Sequence, residues 1–228
     1  MRYKVSHEKR NDMNFMTIIL VLLGAYLLGS IPSAVWIGKA FYGVDVRTKG
    51  SGNAGTTNVL RVLGAKAALP VFLIDMLKGY AAVSLVGFAG AEAGSPAWLY
   101  LKMGLCAMVV VGHMYPGFAG FRGGKGVATL VGCMFAFSLG GILLALATFF
   151  AIVATTHYVS VGSMVGGLLL PFYTALCGQS DWRLMLFMAC ISLLLFYTHR
   201  ANIGRLLHGT ENKTYLFGRS KSTSEEGR

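Results

Sequence analysis

The chain alternates long apolar runs with short polar stretches rich in glycine. The apolar runs cover residues 15–38, 67–91, 98–111, 127–157, 164–177 and 184–198. About 20 apolar residues cross the ~30 Å hydrocarbon core of a bilayer as one helix, so we predict membrane helices here. Residues 127–157 would form a helix about 46 Å long, and Gly140-Gly141 in their middle predicts a break. The pattern therefore predicts an all-α polytopic bundle of seven transmembrane helices.

The distribution of Lys and Arg decides between this topology and a six-helix alternative that keeps 127–157 unbroken. Seven helices place the loops 41–66, 112–126 and 157–163 on the same side as the residues after 198. That side holds most of the basic residues, whereas the opposite loops hold little beyond Lys102 and Arg183. Basic loops stay in the cytoplasm. We therefore expect an inner-membrane protein with its N-terminus outside and its C-terminus and Gly-rich, re-entrant loops cytoplasmic.

The ends of the chain define the expected domain organisation. Residues 1–13 are polar, and we interpret them as an N-terminal extension because their basic residues break the charge rule on that side. The first apolar run is followed by no small-residue cleavage site, which favours a retained helix over a signal peptide. We predict a single membrane domain over 14–208 and a cytoplasmic tail over 209–228.

Composition supports the membrane interpretation. The 228 residues are 55% hydrophobic and 13% charged, about half the charged fraction of a soluble domain. The net charge of +11 would indicate nucleic-acid binding in a soluble protein. In a membrane protein it marks cytoplasmic loops and attracts anionic lipids or substrates, so we expect no nucleic-acid partner.

The first polar loop contains Gly50, Gly52 and Gly55 in the spacing G-x-G-x-x-G. Dinucleotide binding by this motif requires a preceding strand and a βαβ unit, and apolar helices flank it instead. Glycines still allow positive φ and close approach of backbone N–H groups to an anion. We therefore predict that the loop binds phosphate but not a dinucleotide. The polar residues that follow as candidate donors are Ser51, Asn53, Thr56, Asn58 and Arg61.

The second polar loop contains "FRGGKG". A nucleoside-triphosphatase loop would need Gly at Ala119 and Ser or Thr after the lysine, so we exclude it. Two cations separated by two glycines nevertheless predict anion binding, because Arg binds phosphate bidentately. His113, upstream, is a candidate to orient a phosphate or act as a base. The predicted anion-binding residues are Arg122, Gly123, Gly124, Lys125 and Gly126.

Further polar residues lie in or beside the apolar runs. Asp75 and Lys78 are one helical turn apart in the second run, and such charges either mark function or neutralise each other; both interpretations stay open. His199 and Asn202 share a helix face at the end of the last run. Ser160 and Ser163 are neutral donors in the third loop.

Three stretches carry a resemblance to a known family: "GSGNAGTTNVLR", "VGHMYPGFAGFRGGKGVAT", and "HYVSVGS" with "HRANIGRLLHGTE". They resemble the bacterial acyl-phosphate:glycerol-3-phosphate 1-acyltransferases, integral membrane enzymes of phospholipid synthesis. The resemblance implies a seven-helix bundle that transfers a fatty acyl group from acyl phosphate to the sn-1 hydroxyl of glycerol 3-phosphate. The products would be lysophosphatidic acid and phosphate, without a cofactor or metal and without acyl-CoA or acyl carrier protein as direct donor. Implied partners are the two substrates, membrane lipids and a neighbouring acyl-phosphate-producing enzyme.

The resemblance also implies roles for individual residues. Ser51, Arg61, Lys125, His113 and His199 are the expected catalytic residues. The expected ligands of glycerol 3-phosphate are Ser51, Arg61, Lys125, Ser163, His199 and Asn202. The expected ligands of acyl phosphate are Gly50, Gly52, Asn53, Thr56, Asn58, Arg122, Gly123, Gly124 and Gly126.

The chemistry of two phosphates in one site agrees with loops in which cations have no matching carboxylates. We expect direct attack by the glycerol hydroxyl, since the loops show no Ser-His-Asp constellation for a covalent acyl-enzyme. His113, His199 and the substrate's own phosphate remain open as the base. A transporter of organic phosphates is the rival hypothesis, but it predicts internal repeats that the sequence lacks. A structural lipid-binding scaffold leaves the polar loops unexplained.

Overall fold

The structure, a computed structural model, describes residues 14–215, and within that range it contains α-helices and short 3-10 turns but no strand. The prediction of an all-α fold is confirmed. The predicted extension 1–13, and residues 216–228 of the predicted tail, lie outside the described residues. The helices are α1 (Phe15–Gly29), α2 (Ser33–Tyr42), α3 (Thr56–Leu63), α4 (Ala65–Ser84), α5 (Pro96–Met114), α6 (Val127–Phe137), α7 (Leu139–Thr156), α8 (Val159–Leu176), α9 (Trp182–Thr198) and α10 (Arg200–Leu207).

Five helical stretches in the described range are long and apolar enough to cross a membrane, and the pair α9–α10, bent by 57°, would make a sixth. These five are Phe15–Tyr42, Ala65–Phe88, Pro96–Ala119, Leu139–Thr156 and Val159–Leu176. The 11 residues of α6 cover about 16 Å, roughly half of the hydrocarbon thickness. The count of seven therefore stays a prediction.

The long apolar run over 127–157 is broken, as its length required. The break lies at Ser138, whose backbone is extended (φ −154°, ψ 100°), two residues before the glycine pair expected to cause it. The backbone N–H of Ser138 still donates to the carbonyl of Met134, which closes α6, and α7 begins at the next residue.

The chain divides between Leu139 and Gly140 into two compact units. In the first unit, α1 packs on α5 and α4 packs on α6. Glycines make both contacts close: a Cβ on Gly112 would lie 3.0 Å from the nitrogen of Ser30, and one on Gly132 would lie 2.7 Å from the carbonyl carbon of Met76. Helices in lipid associate through such small residues, because backbone contact replaces the missing hydrophobic drive.

In the second unit, α8 packs on α9. Ser192 on α9 donates its hydroxyl to the carbonyl of Gly167 on α8 at 2.7 Å. The segment after α10 returns to the start of α8: the nitrogen of Thr214 donates to the carbonyl of His157 at 2.8 Å, and the ring of Tyr215 lies 4.5 Å from the His157 ring. This unit thus fixes residues 211–215 against the α7–α8 corner.

Between α1 and α2 the helix is interrupted, because Pro32 has no N–H to continue the hydrogen-bond ladder. An unsatisfied carbonyl at membrane depth costs several kcal/mol. The carbonyl of Ile31 in this break accepts from the backbone nitrogen of Ser33 at 3.1 Å and from Lys78 Nζ of α4 at 2.9 Å. A charged side chain from another helix therefore adds a second hydrogen bond at the break.

Three polar stretches differ from their predicted loops. The first contains α3, an amphipathic helix that buries Asn58 and Val59. His113 lies in the last turn of α5, which continues until the approach of Pro116 disfavours further helix. Ser160 and Ser163 lie in the first turns of α8 rather than in a loop. The loop boundaries were wrong because polar helix ends resemble loops in sequence.

Candidate active site

The first Gly-rich loop is folded around the side chain of Asn58. Its Oδ1 accepts from the backbone nitrogen of Ser51 at 2.8 Å and from the Ser51 hydroxyl at 3.1 Å. Its Nδ2 donates to the carbonyls of Val46 at 2.8 Å and Lys49 at 3.2 Å. Asn58 is 2% exposed, so this amide acts as the buried centre of the loop. Gly50 (φ +58°) and Gly52 (φ +70°) make the turns, as expected.

Arg47 connects the first loop to the second. It donates to Asp45 through Nε at 3.0 Å and Nη2 at 2.7 Å, and its Nη1 donates to the carbonyl of Ala119 at 2.7 Å. The hydrogen bonds from Arg47 hold the pKa of Asp45 well below its ordinary value, against the opposing effect of burial. The expectation that the cations have no matching carboxylates is wrong for Arg47.

The second Gly-rich loop folds back on the end of α5. The nitrogens of Gly123 and Gly124 donate to the carbonyls of Met114 at 3.1 Å and His113 at 3.2 Å. A Cβ on Gly124 would overlap His113 Nε2 and lie 3.0 Å from both His113 Cε1 and the carbonyl oxygen of Ala54. Because Ala54 belongs to the first loop, Gly124 lies where the two loops and the His113 ring meet.

Each Gly-rich loop runs into the N-terminus of a helix. The first precedes α3, and the second precedes α6 through Gly126 (φ +84°). The first N–H groups of a helix have no intrahelical acceptor and favour anions. The Oγ1 atoms of Thr56 in α3 and Thr129 in α6 are buried and have no hydrogen-bond partner among residues 14–215. Thr129 was missed from sequence, although it follows the second motif in "GVAT".

The remaining predicted residues of the first unit differ in exposure. Ser51, Arg61 and Arg122 are exposed, whereas Asn53 and Lys125 are half-buried. Arg61 lies in the last turn of α3, and Lys125 immediately precedes the residue that caps α6. The first unit thus brings together the two predicted anion-binding loops with a histidine at their junction.

Behind His113 lies a buried charged cluster. The predicted pair is present: Lys78 Nζ lies 2.8 Å from Asp75 Oδ1. The same oxygen accepts from the Ser33 hydroxyl at 2.8 Å and lies 3.6 Å from His113 Nδ1. These four residues are between 1% and 6% exposed. The cluster connects α2, α4 and α5 beneath the second loop.

In the second unit, Glu211 organises the predicted residues. It accepts from Asn202 Nδ2 at 2.6 Å, Arg205 Nε at 2.7 Å and the Ser160 hydroxyl at 2.8 Å. Although burial opposes ionisation, these hydrogen bonds lower the pKa of Glu211. Arg205, like Arg47, therefore has a matching carboxylate. Sequence reasoning missed Glu211, and its signal was that it is the one carboxylate among residues 199–215.

The other predicted residues of the second unit are buried. Ser163 donates to the carbonyl of Val159 at 2.9 Å. His199 lies between α9 and α10, and its Nδ1 is 2.8 Å from the carbonyl of Leu195. A carbonyl only accepts, so Nδ1 carries the proton and Nε2 of the neutral ring is an acceptor. His199 and Asn202 fall in the same unit as the Glu211 cluster.

The chain matches the family model described as glycerol-3-phosphate acyltransferase over residues 19–209. It belongs to the glycerol-3-phosphate acyltransferase family. A member from Listeria monocytogenes is 44% identical over 200 residues, covering 87% of this chain and 98% of the relative. A member from Clostridioides difficile is 44% identical over 203 residues, covering 88% and 97%.

Solved structures of the glycerol-3-phosphate acyltransferase PlsY, described as an integral membrane enzyme, are similar to this chain. Its glycerol 3-phosphate form matches with a TM-score of 0.79 and 36% identity over 89% of this chain and all of that one. Its lysophosphatidic acid form matches with a TM-score of 0.76 and 36% identity over 87% and 96%. This glycerol-3-phosphate acyltransferase is thus an integral membrane enzyme, as predicted, and the transporter and scaffold hypotheses are set aside.

Proposed function

We propose that the enzyme transfers a fatty acyl group from acyl phosphate to the sn-1 hydroxyl of glycerol 3-phosphate. The products are 1-acyl-glycerol 3-phosphate and phosphate, and the reaction is the first acylation of phospholipid synthesis. The similar structures in glycerol 3-phosphate and lysophosphatidic acid forms support the acceptor and the product. The acyl-phosphate donor is what the family resemblance implies, and the chemistry of the two loops agrees with it.

The observation that carries this proposal is the meeting of two Gly-rich loops, each leading into a helix N-terminus. The carbonyl of Ala54 in one loop lies 3.0 Å from where a Cβ on Gly124 of the other would be. Two adjacent helix N-termini favour two anionic groups. An acyl-CoA donor has its phosphates far from the reacting carbonyl, whereas acyl phosphate has one directly on it. The arrangement therefore favours acyl phosphate.

The family resemblance divides the residues between the two substrates. We propose that Ser51, Arg61, Lys125, Ser163, His199 and Asn202 bind glycerol 3-phosphate, and that Gly50, Gly52, Asn53, Thr56, Arg122, Gly123, Gly124 and Gly126 bind acyl phosphate. Asn58 has a different role from the one expected. Its amide makes four hydrogen bonds within its own loop, so we propose that it shapes the acyl-phosphate loop without binding the ligand.

The proposed step is direct transfer. The sn-1 hydroxyl oxygen bonds to the acyl carbon, the bond from that carbon to the phosphate oxygen breaks, and phosphate leaves with the bonding electrons. Lys125 and backbone N–H groups of the second loop stabilise the negative charge that develops on the carbonyl oxygen. Phosphate is a good leaving group and needs little protonation as it departs. The remaining proton transfer is from the sn-1 hydroxyl, whose proton needs an acceptor.

We propose three candidate acceptors for that proton. His113 and His199 both turn Nδ1 toward an oxygen, Asp75 Oδ1 at 3.6 Å and the carbonyl of Leu195 at 2.8 Å. Each neutral ring then presents Nε2 as a base. The substrate's own phosphate is the third acceptor. The single substitutions His113→Ala and His199→Ala distinguish the candidates. Only loss of the true base should lower kcat without raising the KM for glycerol 3-phosphate.

We also propose the cellular arrangement that the charge pattern predicts. The enzyme lies in the inner membrane with its N-terminus outside and its catalytic loops and C-terminus in the cytoplasm. Glycerol 3-phosphate then enters from the cytoplasm, and the acyl chain enters from the bilayer. An enzyme that makes acyl phosphate is the expected neighbour. Labelling of single cysteines introduced at Ser51 and at Glu92 checks the arrangement, because Ser51 should react only from the cytoplasmic side and Glu92 only from outside.

The donor is tested with purified protein in detergent. Palmitoyl phosphate and labelled glycerol 3-phosphate should give labelled lysophosphatidic acid, whereas palmitoyl-CoA should give none. The variant Lys125→Met should abolish the product while leaving the unfolding temperature near the wild-type value. Product from palmitoyl-CoA at the rate of palmitoyl phosphate would overturn the donor assignment. A covalent acyl-enzyme trapped on Ser or Cys would overturn direct transfer.

A further inference from the structure

The charged cluster beneath the second loop contains one residue that charge neutrality does not require. Asp75 and Lys78 already form a neutral pair within α4, with their oxygen and nitrogen 2.8 Å apart. Lys78 has a structural use as well, since it donates to the carbonyl of Ile31 at the break between α1 and α2. His113, on α5, nevertheless turns Nδ1 toward the same carboxylate oxygen at 3.6 Å. The contact therefore needs a reason other than neutrality.

The opposite edge of the His113 ring supplies that reason. A Cβ on Gly124 would overlap Nε2, so this nitrogen lies directly against the backbone of the second loop. A carboxylate beside one ring nitrogen keeps the proton on that nitrogen and fixes the orientation of the ring. Asp75 thereby determines which nitrogen His113 presents to the junction of the two loops.

We propose that Asp75 is a positioning residue of the acyltransferase, acting through His113. It holds the ring with the proton on Nδ1 and the acceptor Nε2 at the meeting point of the loops, while Lys78 pairs with the same carboxylate oxygen. The effect on transfer rests on the proposed function, but the effect on the histidine ring does not.

The test removes the carboxylate without leaving a buried charge. Substituting Asp75 alone would leave Lys78 unpaired, and breaking a buried pair is strongly destabilising, whereas replacing both members by apolar residues is often neutral. The variant Asp75→Leu/Lys78→Met is therefore the main one. Asp75→Asn/Lys78→Met keeps an acceptor oxygen but no charge. Lys102→Met is the matched control, because it removes another partly buried lysine of the same unit, one that donates to the Ala136 carbonyl and has no contact with His113.

The first measurement is the nitrogen NMR spectrum of the ¹⁵N-histidine-labelled protein at about pH 8, where an ordinary histidine is neutral. The protein has five histidines, and His113→Ala identifies the His113 signals by their loss. We expect Nδ1 of His113 to carry the proton in the wild type and in Lys102→Met. Asp75→Leu/Lys78→Met should give a mixture of both tautomers. A wild-type proton on Nε2 would overturn the proposal, whatever the enzymatic activity.

The second measurement is the rate of acyl transfer. We expect Asp75→Leu/Lys78→Met to lower kcat about 10²-fold, with the KM for glycerol 3-phosphate changed less than about threefold. Asp75→Asn/Lys78→Met should retain more of the activity. In a His113→Ala background the same pair of substitutions should cause no further loss, because a residue that acts through His113 has nothing left to position.

The outcomes separate the proposals. If the folded double variant keeps wild-type kcat, or loses the same factor with and without His113, then Asp75 has only a structural role and the inference is overturned. If the wild type shows no transfer from palmitoyl phosphate, the donor assignment fails, and the NMR measurement still decides the role of Asp75.

Discussion

A single added methyl group at Gly124 tests whether the junction of the two loops is the reacting centre. Gly124→Ala would place a Cβ that overlaps Nε2 of His113 and lies 3.0 Å from Cε1 and from the carbonyl oxygen of Ala54. Ordinary van der Waals contact begins at 3.4 Å, so Cε1 and the carbonyl must each yield by about 0.4 Å, and Nε2 by more. The φ of Gly124 lies outside the left-handed region, so the strain is steric and not conformational.

The groups that the added methyl displaces have little free space to move into. The ring of His113 is 6% exposed and lies beside Asp75, and the opposing carbonyl belongs to the backbone of the first loop. We therefore expect the loops to separate by a substantial fraction of 1 Å. A misplacement of that order lowers a well-oriented reaction by about 10²-fold. Because the change is local to two surface-proximal loops, the unfolding temperature should fall by only a few degrees.

The assay is transfer of the palmitoyl group from palmitoyl phosphate to labelled glycerol 3-phosphate, with thermal unfolding measured on the same preparation. Gly87→Ala, in the same unit, is the matched control, because a Cβ on Gly87 would have no atom within 4 Å. It should retain wild-type kcat/KM. Equal activities of Gly124→Ala and Gly87→Ala, both folded, would show that the loop junction is not where the reaction takes place.

Three further predictions concern binding, pH and packing. Arg61→Ala should raise the KM for glycerol 3-phosphate at least ~10-fold, the worth of a charge-assisted hydrogen bond, with a smaller change in kcat; an unchanged KM would remove Arg61 from the site. Glu211→Gln should lower the unfolding temperature by about 5 °C at pH 7. The pKa of Glu211 is lower in the folded than in the unfolded protein, so its contribution to stability is present above the unfolded value near 4.5 and is lost as pH falls through the folded pKa. The unfolding temperatures of wild type and variant should therefore converge in acid. A difference that stays constant with pH would contradict the assignment. Gly132→Ala should destabilise the first unit far more than Gly24→Ala, since only the former meets backbone of a neighbouring helix, and equal unfolding temperatures would count against the close α4–α6 contact.

The parts of the site that depend on local backbone chemistry were predictable from sequence. Gly50 and Gly52 have the positive φ that their lack of a Cβ suggested, and Asp75 and Lys78 pair at one helical turn as their spacing required. Family membership followed from long motifs in which many residues recur together. In each case the information lies within a few consecutive residues.

The parts that depend on packing were not predictable. Asn58 was assigned as a ligand because it is polar and lies in the motif, yet its partners lie as far as 12 residues away and it is buried among them. His113 and Asp75 lie on different helices, and no periodicity in either helix records their approach. Glu211 was overlooked because its three partners, one on α8 and two on α10, surround it only after the chain has folded. Sequence patterns predict which face of a helix is buried, but not which residue of another element packs against that face.

The lysine that bonds across the α1–α2 break has a consequence for how the protein is made. Ile31 leaves the ribosome well before Lys78, so the Ile31 carbonyl has only its bond from the nitrogen of Ser33 until α4 arrives. A lone charge at the centre of an inserting helix costs about 3 kcal/mol on translocon scales, but α4 carries Asp75 one turn from Lys78 and enters nearly neutral. When α4 docks, Lys78 keeps its pairing with Asp75 and adds the hydrogen bond to Ile31. The polar contact between the α1–α2 break and α4 therefore forms only after α4 has been made, and a pair of charges that enters nearly neutral supplies it.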